Sequence, residues 1–69
     1  MRYTVVIEDA GRNFSAYVPD VPGVIATGET REQTLANMRD ALVFHIETLR
    51  ELGQAVPSPT TRAAEIEAA

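Results

Sequence analysis

Apolar and polar side chains alternate along residues 2–8. Tyr3, Val5 and Ile7 fall on one face and Thr4, Val6 and Glu8 on the other, the period of two of a half-buried strand. The pattern returns at Phe14, Ala16 and Val18, with Ser15 and Tyr17 facing outward. Between the two runs, Asp9-Ala10-Gly11-Arg12-Asn13 carries turn chemistry, so the pair reads as a hairpin. Pro19-Asp20-Val21-Pro22-Gly23 ends the second strand, and Pro22-Gly23 suits the two central positions of a type II turn. Val24 to Thr27 makes a short third strand, which Gly28 lets the backbone leave.

The period then changes. Leu35, Met38, Leu42, Ile46, Leu49 and Leu52 recur at spacings of three and four, the stripe of a core-facing helix. Thr30 with Gln33 three residues later predicts a capping box, and Gly53 followed by Pro57 predicts the stop. The helix is expected from about Arg31 to Leu52. Gln54 to Val56 is expected as a short edge strand beside the first strand, parallel to it. The expected fold class is α+β, a β-β-β-α-β order in which an antiparallel meander packs on one long helix. Tyr3, Val5, Ile7, Phe14, Ala16, Val18, Leu35, Met38, Leu42, Ile46 and Leu49 are its expected core. Residues 1–59 form the expected domain, and 60–69, rich in Ala and Glu, a short tail able to form a marginal helix.

Composition sharpens this picture in three ways. A 69-residue chain buries too little surface for a robust core, and with no cysteine it has neither disulfides nor thiolate metal sites to reinforce it. Self-association is the remaining reinforcement, so a homo-oligomer, dimer or tetramer, is expected. Ten acids against six basic residues give a net charge of −4, which disfavours phosphate backbones and favours a basic protein partner. No apolar run is long enough to span a membrane, and the chain enters a strand pattern at once rather than a secretory leader, so the expected compartment is the cytoplasm.

Candidate chemistry is sparse. Glu8, Asp9 and Asp20 stand near strand ends, where a Mg²⁺-dependent nuclease would place carboxylates. They also sit where acids cap turns, and that is the reading adopted. His45 lies near the helix stripe without a nucleophile beside it, Ser15 and Ser58 have no base nearby in sequence, and neither Gly23 nor Gly28 opens a helix as a phosphate loop would. No enzyme activity, catalytic residue, metal or cofactor is therefore expected. Phe44 falls almost opposite Leu35 on a helical wheel and Val43 lies off the stripe, so both suit a partner or oligomer contact. Tyr17 and Asp20 complete the candidate contact residues.

The ordered set Tyr3, Phe14, Ala16, Pro19-Asp20-Val21-Pro22-Gly23, Thr27-Gly28-Glu29-Thr30, Leu35-Ala36-Asn37, Ala41, Gly53 and Pro57 resembles the N-terminal domain of HicB-type antitoxins and their short stand-alone relatives. The resemblance spans about Tyr3 to Pro59. It implies a cut-down ribonuclease H-like fold lacking the catalytic acids, and assembly as dimers or higher oligomers. It also implies a role in binding and masking a small basic HicA-type RNA-cleaving toxin. Ten residues after Pro59 are too few for the DNA-binding module such antitoxins usually carry, so no direct DNA contact is expected. The alternative is an orphan self-assembling scaffold or regulator without a toxin partner.

Overall fold

Three short strands pair in chain order, and the helix that follows packs back across them. The computed structural model describes residues 1–69. It contains β1 (Val6–Asp9), β2 (Phe14–Tyr17), β3 (Ile25–Gly28) and α1 (Arg31–Glu51). The sheet is antiparallel in the order β1-β2-β3. Its register sets Ile7 opposite Ala16 and Ala16 opposite Ala26, while Val6 faces Tyr17 and Tyr17 faces Ile25. Side chains alternate between faces, so Ile7, Ala16 and Ala26 point to the helix and Val6, Tyr17 and Ile25 away from it.

The buried cluster is Ala16, Val18, Val21, Val24, Ala26 and Met38, with Tyr3, Val5, Ile7, Ala41 and Leu42 packed against it. Ala16, Val18 and Met38 are thus buried as expected, and Phe14, Ile46 and Leu49 are half-buried. Leu35 is not core: it is 42% exposed. The reason lies in the small side chains beneath the helix. At Gly28 the chain passes so close to Thr34 that an added Cβ would meet the Thr34 backbone nitrogen at 2.7 Å. This close approach seats Thr34, Met38 and Ala41 on β2 and β3 and turns Leu35 out to the flank. Thr34 tolerates full burial because its hydroxyl donates to the Thr30 carbonyl at 2.7 Å.

Both helix ends are chemically marked. Thr30 is the N-cap, in an extended conformation, and its Oγ1 accepts the Gln33 N–H at 3.0 Å. The reciprocal half of the expected capping box does not form, because the Gln33 amide donates to Asn37 Oδ1 instead. Asn37 in turn donates to the Thr27 carbonyl at 2.7 Å, stitching the first helical turns to β3. At the other end, Gly53 N–H donates to the Arg50 carbonyl and Gln54 N–H to the Leu49 carbonyl, the paired bonds of a Schellman motif. Gly53 takes the left-handed conformation (φ 70°) that this motif needs.

The expected fourth strand is absent, and residues 54–69 carry no regular secondary structure, helix included. Gln54 has its N–H engaged in the helix stop, and Pro57 and Pro59 stand two apart. Both missing N–H groups would therefore fall on one edge of any strand through them. Side chains attach the segment instead: the Tyr3 hydroxyl donates to the Pro57 carbonyl and the Thr4 hydroxyl to the Thr61 carbonyl. For the same reason β1 begins at Val6 rather than near Arg2.

Candidate functional site: two open faces and a clasped carboxylate

The structure leaves apolar surface uncovered in two places. On the outer face of the sheet, Val6, Tyr17 and Ile25 form a row across all three strands, and Ile25 is 71% exposed. On the helix flank, a groove of about 490 Å³ is lined by Val5, Leu35, Ala36, Met38, Arg39 and Leu42. Leu42 also lines an adjoining groove of about 240 Å³, with Met1, Tyr3, Val43, Ile46, Glu47 and Arg50. The apolar stripe read from the sequence is therefore divided. Met38 faces the sheet, while Leu35, Leu42 and Ile46 line grooves whose borders carry two arginines.

The candidate contact residues separate accordingly. Tyr17 lies on the outer sheet face and Val43 on the helix flank, while Phe44 is 72% exposed on the helix. Because α1 packs on the inner face of the sheet, Tyr17 and the Val43–Phe44 pair belong to different sides of the molecule. Asp20 behaves differently from the other three: its carboxylate is engaged within the chain. Oδ2 accepts the Thr60 and Thr61 N–H groups at 3.0 and 2.9 Å, and Oδ1 accepts the two hydroxyls at 3.0 and 2.8 Å. Sequence reasoning missed this clasp. Its only visible signal was an acid in one turn and a Thr-Thr pair 40 residues away.

The acids weighed for catalysis do not converge. Asp9 accepts the Gly11 N–H at 2.9 Å and so shapes the hairpin turn, Asp20 holds Thr60 and Thr61, and Glu8 sits opposite Ser15 in the β1–β2 pair. No three His, Cys, Asp or Glu side chains stand close enough to hold a metal ion. His45 is half-buried on the helix.

Hydrogen bonds set the charge state of the clasp. The Thr61 N–H and then the Thr61 hydroxyl hold the Asp20 carboxyl below its usual range; desolvation opposes them, and the Thr60 hydroxyl and N–H add weaker lowering effects. A carboxyl with a depressed folded pKa contributes stability above its unfolded value and loses it as pH falls through the folded one. The pH titration of the Thr60 and Thr61 amide shifts, followed by NMR, should therefore have its midpoint below the ordinary aspartate value of about 3.9. A midpoint above that value would contradict the geometry.

A meander of three strands under one helix, with apolar faces left open, defines a small α+β domain. The family profile described as HicB-like antitoxin of bacterial toxin–antitoxin systems matches residues 3–69, and the chain belongs to that family. It is 38% identical over 66 residues to antitoxin HicB 2 of Photorhabdus laumondii, covering 90% of this chain and 45% of that protein. It is 35% identical over 57 residues to an uncharacterised 14.9 kDa protein of Haemophilus phage HP1, covering 83% and 43% respectively. It therefore spans less than half the length of both. A UPF0150 protein of Thermoplasma acidophilum is 33% identical over 58 residues, covering 83% of this chain and 84% of that protein.

Solved structures agree. The N-terminal domain of the Burkholderia pseudomallei antitoxin HicB superposes with a TM-score of 0.75 at 37% identity, covering 88% of this chain and 73% of that one. The HicA3 and HicB3 toxin–antitoxin complex contains a chain matching at TM-score 0.73 and 32% identity, covering 87% of this chain and 70% of that one.

Proposed function

We propose that this chain is a non-catalytic, cytoplasmic antitoxin domain that binds and masks a small basic HicA-type RNA-cleaving toxin. The observation that carries the reading is membership of the HicB-like antitoxin family, joined to a similar chain solved in a toxin–antitoxin complex. The net charge of −4 supports it, since an acidic surface steers a basic protein toward it. The Val6-Tyr17-Ile25 row supplies apolar area for a contact, and Val43 and Phe44 supply a separate one for assembly into a dimer or tetramer. No helix is long and apolar enough to cross a membrane.

A small basic protein encoded beside this chain should abolish growth when expressed alone and spare it when the two are co-expressed. The purified pair should bind less tightly as salt is raised. Tyr17→Glu should weaken binding by about tenfold or more if the outer sheet face is the contact. Phe44→Glu should shift light scattering toward the monomer while leaving toxin binding in place. No rescue and no salt-sensitive complex would reject the toxin-masking function. An assembly without a toxin partner would then favour a self-assembling scaffold or regulator.

A further inference from the structure

Residues 57–61 run back to the N-terminal segment, and the Asp20 side chain holds their far end, joined there by the Thr4 hydroxyl on the Thr61 carbonyl. Asp20 stands between Val18 and Val21, both buried, and the Val21 N–H closes the turn around it by donating to the Val18 carbonyl at 3.0 Å. The carboxylate is thus presented from a part of the backbone fixed by the core. It accepts two backbone N–H groups and two hydroxyls, all from Thr60 and Thr61. Ionised acceptors make the stronger hydrogen bonds, and both oxygens are used. Pro57 and Pro59 restrict the approach, since each fixes its own φ and lacks a donor. Beyond Thr61 the chain is exposed throughout, with Ile66 90% exposed.

We infer that Asp20, Thr60 and Thr61 form a buckle that fixes where the chain leaves the domain, which makes Asp20 a positioning residue for residues 62–69 and anything they touch. This is independent of which partner the domain binds. With the buckle closed, the eight residues 62–69 reach at most about 26–29 Å from Thr61. Opened, the free stretch extends back to Pro57, which the Tyr3 hydroxyl still holds, making twelve residues, and the effective concentration of that segment at the domain surface falls by about twofold. Alanine removes the buckle outright, whereas asparagine would keep a neutral version of it, with Oδ1 accepting the two N–H groups and NH₂ donating to the two hydroxyl oxygens.

The test uses the whole chain and two readouts. In the unmodified protein the Thr60 and Thr61 amides should exchange with solvent about tenfold or more slower than in an unstructured peptide. Free exchange there overturns the inference whatever the variants do. Asp20→Ala should speed trypsin cleavage after Arg62 by about tenfold, with cleavage after Arg39 and Arg50 in the helix changed less than about twofold. The double variant Thr60→Ser, Thr61→Ser keeps both hydroxyls and should leave cleavage after Arg62 as in the unmodified chain. Unchanged cleavage in Asp20→Ala, or equal acceleration at all three arginines, overturns the positioning role.

Discussion

Gly28→Ala is expected to remove a large part of the stability of the fold, although alanine normally favours an ordered backbone over glycine. The added Cβ would lie 2.6 Å from Thr34 Oγ1, 2.7 Å from its backbone nitrogen and 3.0 Å from its Cα. The hydroxyl could swing aside only by abandoning its bond to the Thr30 carbonyl, leaving a buried donor unpaired. The backbone nitrogen has no such escape, because it too is bonded to the Thr30 carbonyl, at 2.9 Å. Relief requires the first turn of α1 to lift off β3, breaking the Asn37–Thr27 stitch on the way. Forced overpacking costs about 1–3 kcal/mol or more, against a net stability of about 3–5 kcal/mol for a core this small. A thermal melt by circular dichroism should fall by about 10–20 °C. A melt within a few degrees of the unmodified protein would mean that α1 rides up without penalty.

Met38→Ala should be comparably damaging, and its comparison with Leu35→Ala is the sharper measurement. Met38 is 1% exposed at the centre of the cluster, so truncation should cost about 2–5 kcal/mol. Leu35, one turn earlier on the same sequence stripe, is 42% exposed and should cost under about 1 kcal/mol in the isolated domain. Urea titrations of the two variants decide it. Equal losses would show that the helix is rotated relative to the arrangement described above.

Those substitutions also mark where the sequence was readable. The three strands, their alternating faces and both helix ends follow from local chemistry: period-two alternation, a threonine cap and a glycine at the position after the C-cap. Leu35 misled because helical periodicity identifies a stripe about a third of the helix wide without saying which part meets the sheet. That was decided by Gly28, Ala16 and Ala26, whose small size only matters once the elements are packed. Val21 and Val24 were missed because they lie outside the repeating patterns, in and just after a turn that folds over the core. Thr34 was missed because a buried hydroxyl depends on a carbonyl one turn away. Of the contact residues, Tyr17, Val43 and Phe44 are exposed, as an off-pattern apolar residue should be. The partner of Asp20 was hidden by 40 residues of separation, and with it the reason the final segment runs where it does.

Both rims of the sheet are strands of only four residues, about 13 Å each. A fourth strand laid against either rim would gain just two or three ladder bonds, too few to sustain growth by backbone pairing alone. Copies that meet must therefore do so through side-chain faces, whose shape limits how many can fit. Growth by strand addition is therefore disfavoured by the rims themselves.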